Sequence, residues 1–148
     1  MLCRIIILLI IFHVGHGAST AAPNILLIVA DDLGYNELGF MNNTRGILSP
    51  HLDSLASNGV TLKNHYSQPI CSPTRSAMMT GRYPLALGTQ SNVIYWDTPW
   101  SPSLDNKFLP QYFQDLNYTT AMFGKWHLGM HKEATTPWKR GFDHHAGY

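Results

Sequence analysis

The chain has 148 residues, enough for about one domain, with 45% apolar and 13% charged residues and a formal net charge of +1 at pH 7. This composition excludes a disordered chain. A charge so near zero, with no basic stripe, excludes a nucleic-acid binder and electrostatic attachment to an anionic membrane surface.

The N-terminus reads as a secretory signal peptide over residues 1–21. Arg4 is its positive end, and Ile5 to Phe12 is a continuous apolar core too short to span a bilayer. Small residues follow from Gly17 to Ala21, and cleavage is expected between Gly17 and Ala22. No stable membrane span is expected. Cys3 leaves with this segment, so Cys71 is left alone and this segment holds no disulfide framework; the thiol reads as a buried structural one, a partner for a distant cysteine or a reacting group. The triplets Asn42-Asn43-Thr44 and Asn117-Tyr118-Thr119 could carry glycans in an exported protein.

Pro23-Asn24 precedes the apolar run Ile25 to Ala30, consistent with a buried strand of a parallel sheet. The run stops at Asp31-Asp32-Leu33-Gly34. Adjacent carboxylates repel unless a cation lies between them, and oxygen-only donors suit calcium or magnesium. The alternative is that Asp32 caps a turn and Asp31 is solvated.

Ser49-Pro50 opens a helix with Leu52, Leu55 and Ala56 on its apolar face, and Asn58-Gly59 closes it. Val60 to Tyr66 alternates in part and reads as a second strand, with His65 and Tyr66 either core or rim. Ser72-Pro73 opens a further helix, with Ala77 and Met78 inward and Gly81 as its stop. Cys71 then sits at a helix N-terminus, where the backbone favours an anion, and Arg75 lies one turn on along the same face. The alternative is a buried thiol beside a surface arginine. Arg82 reads as structural.

A loop rich in Pro, Trp and Ser runs from Tyr83 to Ser103. Asp105 to Leu116 reads as a helix with Pro110 in its first turn, and Tyr118 to Phe123 as a strand. Lys125 and His127 follow, flanking Trp126. In an extended stretch both face one side, where a lysine can hold an anion and a histidine can move a proton near neutral pH. Such pairs are also common on surfaces. His144-His145 is poorly spaced for a metal on either a helix or a strand.

The alternation of strands and helices predicts an α/β fold with a mainly parallel central sheet flanked by helices. In such sheets ligands collect beyond the carboxyl ends of the strands. Asp31-Asp32 and Lys125/His127 fall at such ends, and Cys71 follows a predicted one.

Taken together, these stretches resemble the sulfatase family. Cys71-Ser72-Pro73-Thr74-Arg75, continuing to Thr80-Gly81-Arg82, looks like the signature C-x-P-x-R followed by T-G-R. Asn24 to Gly34 resembles the family's first strand and its metal-binding Asp pair. GKWHLG, residues 124–129, and Gly141-Phe142-Asp143 resemble later blocks. GKWHLGM and HYSQPICSPTRS look closest to the arylsulfatase B group with its I and J types, although that group's cysteines between Tyr95 and Pro137 have no counterpart here.

The resemblance implies an alkaline-phosphatase-like fold, with residues 22–148 as the incomplete N-terminal part of a catalytic domain. It implies that a formylglycine-generating enzyme, reading C-x-P-x-R, oxidises Cys71 to formylglycine. One hydroxyl of the hydrated aldehyde attacks sulfur and displaces the alcohol; the second expels the sulfate. Asp31, Asp32 and residue 71 would ligate calcium, Arg75 and Lys125 would neutralise charge, and His127 would assist collapse of the hydrate.

The implied substrate is a sulfate ester, in particular a sulfated glycosaminoglycan sugar, and the implied location is the secretory pathway, lysosomal or extracellular. The remaining metal ligands and the second histidine and lysine of the family have no match in these residues, so the segment alone is expected to be inactive and marginally folded. Two other readings are a phosphatase or phosphodiesterase relative, against which Cys71 argues, and a catalytically inactive secreted homologue.

Overall fold

A computed structural model describes residues 7–11, 22–41 and 46–148, with backbone alone for residues 7–11. Cys3, Arg4, the expected cleavage point and the triplet at Asn42 lie outside the described residues. The chain divides into two compact units, Met1–Ser67 and Gln68–Tyr148. Among the described residues no helix is long and apolar enough to cross a membrane.

In the first unit, strand β1 (Ile7–Ile11) pairs antiparallel with β2 (Ile25–Val29), Ile7 opposite Val29 and Ile11 opposite Ile25. β1 falls in the stretch that reads as a signal peptide. The apolar run of β2 forms the expected strand, but it is not enclosed: Leu26 is 53% and Ile28 45% exposed. A strand buried on both faces needs layers above and below it, and the described residues of this unit supply neither.

Helix α1 (Pro50–Asn58) starts where Ser49-Pro50 predicts. The Ser49 hydroxyl does not cap its own helix. It accepts from the Gly39 N–H at 2.7 Å and donates to Asp53 Oδ1 at 2.7 Å, while Asp53 Oδ1 also accepts from the Phe40 N–H at 2.9 Å. This clasp ties a short 3-10 turn, Gly39–Met41, to the first turn of α1. Val60 to Tyr66, expected as a strand, is irregular and exposed, with Val60 at 83%. Partial alternation cannot make a strand without a partner to complete its ladder.

The second unit holds helices α2 (Cys71–Thr80), α3 (Pro84–Leu87) and α4 (Leu109–Asp115), and strands β3 (Ala121–Gly124) and β4 (His144–Gly147). β3 and β4 pair in parallel, Ala121 opposite His144 and Gly124 opposite Gly147. The last pair requires glycine: a Cβ on Gly147 would stand 1.8 Å from the Gly124 carbonyl oxygen. α2 ends at Gly81, whose φ of +67° lets its N–H reach the Ala77 carbonyl at 2.8 Å. Pro110 occupies the first turn of α4, as expected, although the helix begins at Leu109 rather than Asp105. The fold class is α/β.

The core of this unit is Met79, Phe108, Trp126, Leu128 and Phe142, with Met78, Leu109 and Met122 against it. Trp126 meets Phe108 and Phe142 at ring-centroid distances of 5.8 and 6.3 Å. Arg140 is 3% exposed. It donates to the carbonyls of Asn106 at 2.8 Å and of Ser103 and Leu104 at 3.4 Å, and its guanidinium lies 3.7 Å from the centroid of Phe108. One buried charge thus satisfies the loop before α4 and roofs the core.

Asp143 joins β4 to the start of β3. Its carboxylate accepts from the Thr120 N–H at 2.8 Å and from Gln114 Nε2 at 2.9 Å. The backbone bond from Thr120 first, then the side chains of Thr120 and Gln114, hold this carboxyl below the usual carboxylate range. A depressed folded value contributes stability above the unfolded value of about 3.9, lost as pH falls through the folded value. Asp143→Asn is therefore expected to lower the melting temperature at pH 7. Thermal melts repeated at falling pH should show the gap to the parent closing through the carboxylate range.

Candidate active site

Every sequence-predicted site residue of the second unit lies on α2 or on the chain just past β3. Ile70, extended at φ −139° and ψ 173°, delivers the chain into α2, so Cys71 is the first helical residue. Lys125 follows directly on β3, and its Nζ donates to Cys71 Sγ at 3.2 Å. One turn into α2, Arg75 donates through Nη1 to the Lys125 carbonyl. One cation therefore touches the side chain of residue 71, and a second clamps the backbone of the first.

Cys71 and Arg75 differ in burial. Arg75 is 7% exposed, whereas Cys71 is only half-buried. The arrangement is the reverse of a buried thiol beside a surface arginine. A desolvated guanidinium without a carboxylate partner is costly unless hydrogen-bonded, and here a carbonyl receives it. The result is an electropositive, reachable spot at a helix N-terminus, suited to an anion that comes and goes.

His127 reaches the same helix by another route. The stretch is not extended throughout, because His127 has a φ of +56°, in the left-handed region that non-glycine residues avoid. Simple alternation therefore does not run through it. Trp126 turns into the core, 2% exposed, with Nε1 donating to the Gly129 carbonyl at 3.0 Å. The His127 carbonyl accepts from Ser72 Oγ at 2.8 Å, and Ser72 Oγ accepts in turn from the Ile94 N–H at 2.9 Å. Sequence reasoning missed Ser72. Its partners lie 22 and 55 residues away, and no local pattern announces them.

Arg82 is exposed, with its N–H on Thr80 Oγ1 at 3.2 Å, a local contact at the end of α2. His65 and Tyr66 are exposed and lie in the first unit. His145 stacks edge-on against Trp138, centroids 4.9 Å apart. A cleft of about 390 Å³, lined by Ile70, Pro73, Tyr83 and Leu85 among others, lies beside the start of α2, and a larger one of about 560 Å³ involves Lys132, Lys139 and Arg140. Cys71 lines neither.

In the first unit, Asp31 and Asp32 follow β2 after Ala30, and both are exposed. Asp32 has a φ of +56°, and a Gly34–Glu37 turn beyond it folds the chain back. Calcium takes six to eight oxygen donors. Two adjacent carboxylates are the right chemistry for such an ion and would supply part of its shell.

A family model described as Sulfatase matches residues 23–148. The chain is 44% identical to mouse arylsulfatase J over 126 residues, 85% of this chain and 21% of that protein. It is 39% identical to human steryl-sulfatase over 94% of this chain and 26% of that protein, and 36% identical to human N-acetylgalactosamine-6-sulfatase over 90% and 27%. A solved structure, Ps i-CgsB, superposes with a TM-score of 0.74 at 39% identity, covering 80% of this chain and 26% of that one. The same protein in complex with k-i-k-neocarrahexaose gives a TM-score of 0.68. The chain thus spans about a quarter of the length of these relatives.

Removing the charged donor at Arg75 takes a charge-assisted hydrogen bond away from the Lys125 carbonyl. Arg75→Met is expected to cost about 1.5–3 kcal/mol of stability, measured as a lowered urea midpoint with an unchanged slope.

Proposed function

This chain belongs to the sulfatase family, and from that membership we propose that the protein hydrolyses sulfuric esters using a formylglycine matured from Cys71. The observation that carries the reading is the convergence on residue 71: Lys125 Nζ at 3.2 Å from its Sγ, with buried Arg75 holding the Lys125 carbonyl. Position 71 fits the modified residue, since it is half-exposed, opens a helix and already accepts a hydrogen bond from an ammonium.

A sulfate ester is an anion, so a thiolate would be a poor attacking group, and a neutral hydroxyl beside fixed cations is better. Formylglycine, when hydrated, supplies that hydroxyl and a second one to release the sulfate. Calcium held by Asp31 and Asp32 would polarise a sulfate oxygen. Lys125 donates at the reacting atom of residue 71 and neutralises charge that develops there. Arg75 fixes the backbone from which Lys125 reaches and adds a second positive charge on the same face. His127, an imidazole able both to accept and to donate a proton, moves the proton that frees the sulfate.

The proposed substrate is a sulfated sugar of a glycosaminoglycan. Likeness to N-acetylgalactosamine-6-sulfatase and to the glycan-bound neighbour favours this class. Maturation would require a formylglycine-generating enzyme that reads Cys71 to Arg75, in the secretory pathway, with a lysosomal or extracellular destination.

Mass spectrometry of the tryptic peptide Asn64–Arg75 from the full-length protein tests the reading directly. Conversion makes the peptide about 18 mass units lighter, and that product should accompany turnover of an aryl sulfate. A retained thiol without turnover sinks the proposal in favour of an inactive homologue. Phosphate-ester turnover exceeding sulfate turnover would sink it in favour of a phosphatase. In the same assay, Lys125→Met is expected to lose on the order of 10²-fold in kcat/KM.

A further inference from the structure

We propose that Ser72 is a positioning residue that holds His127 in its working conformation. The inference rests on the sulfatase reading, which gives His127 a task but assigns none to Ser72.

Ser72 is 0% exposed, so its hydroxyl has no water to fall back on. It makes two bonds of opposite sense. The proton goes to the His127 carbonyl at 2.8 Å, and a lone pair receives the Ile94 N–H at 2.9 Å. Ile94 is itself 5% exposed, so the incoming N–H is equally dry. With its donor engaged on one side and an acceptor site engaged on the other, the hydroxyl cannot turn without breaking a bond to the backbone.

His127 is where that rigidity matters. Its φ of +56° is a left-handed conformation that side-chain-bearing residues adopt only at a steric cost. Such a residue relaxes unless its surroundings hold it. The carbonyl bonded by Ser72 is the residue's own, so a rotation of the peptide that relieved His127 would break this bond. Ser72 is also the immediate neighbour of Cys71 on α2. One buried hydroxyl therefore couples the residue expected to react to the residue expected to move a proton.

Lys125 is held separately, by Arg75 at its own carbonyl. Loss of the Ser72 hydroxyl should consequently misplace the imidazole and leave the ammonium in position. Anion binding and proton transfer then come apart. In the motif C-x-P-x-R, Ser72 stands at an unrestricted position, so maturation of residue 71 is expected to survive its replacement.

The test compares full-length wild type, Ser72→Ala and Ser72→Thr on an aryl sulfate, with kcat expressed per mole of converted residue 71 from peptide mass spectrometry. Ser72→Ala is expected to lower kcat by on the order of 10–10²-fold with KM nearly unchanged, and Ser72→Thr, which keeps the hydroxyl, to recover most of the loss. In a His127→Ala background, Ser72→Ala should cost little further, because its effect passes through the imidazole. Should Ser72→Ala not accumulate as folded protein, Ser72→Cys, a similar size with a weaker donor, is read the same way. An unchanged kcat, a loss confined to KM, or the same loss with and without His127 overturns the proposal. Absence of turnover in the wild type overturns the sulfatase reading, and this inference with it.

Discussion

The N-terminal half of α2 is stitched to the chain that leaves β3, and the second unit depends on that seam. Three side chains of the helix reach three successive points of the partner segment's neighbourhood. Cys71 receives the Lys125 ammonium, Arg75 grips the Lys125 carbonyl, and Ser72 grips the His127 carbonyl. All of these are polar contacts, in a place where a helix and a strand end would ordinarily meet through apolar side chains. Trp126, between the two gripped residues, supplies the apolar part by entering the core. Trp126 faces the core while its two neighbours are gripped through their carbonyls, and the left-handed turn at His127 breaks the simple alternation of the segment.

The rest of the unit serves to hold that segment still. Phe108 and Phe142 enclose the Trp126 ring from two directions. Arg140 closes the far side of Phe108 by binding three carbonyls of the preceding loop. Asp143 fastens the start of β3 by accepting from Thr120. Fixed donors at a reaction centre are useful only if they need not reorganise when charge develops, and this packing provides that fixity.

Local chemistry made much of this readable in advance. The Ser-Pro start and glycine stop of α1, the glycine stop of α2 and Pro110 in α4 are each decided by neighbours within one turn. Cys71, Arg75 and Lys125, singled out from two separate stretches of sequence, are linked by hydrogen bonds through Lys125. What escaped was set at long range. β4, His-His-Ala-Gly, lacks the β-branched residues that mark strands, and is one because β3 offers it a parallel edge and two facing glycines. Val60 to Tyr66 has strand-like residues and no edge to join. Arg140 looks like any surface arginine until the carbonyls of Ser103, Leu104 and Asn106 surround it. Ser72 looks like a helix opener until Ile94 and His127 arrive from elsewhere.

Asn117 occupies a tight corner between α4 and β3, exposed and with a φ of +61°. β3 runs from near that corner toward Lys125, so the strand alone separates the two by about 13 Å. Any oligosaccharide attached to Asn117 would therefore be rooted at the opposite end of β3 from Lys125, with the length of the strand between them.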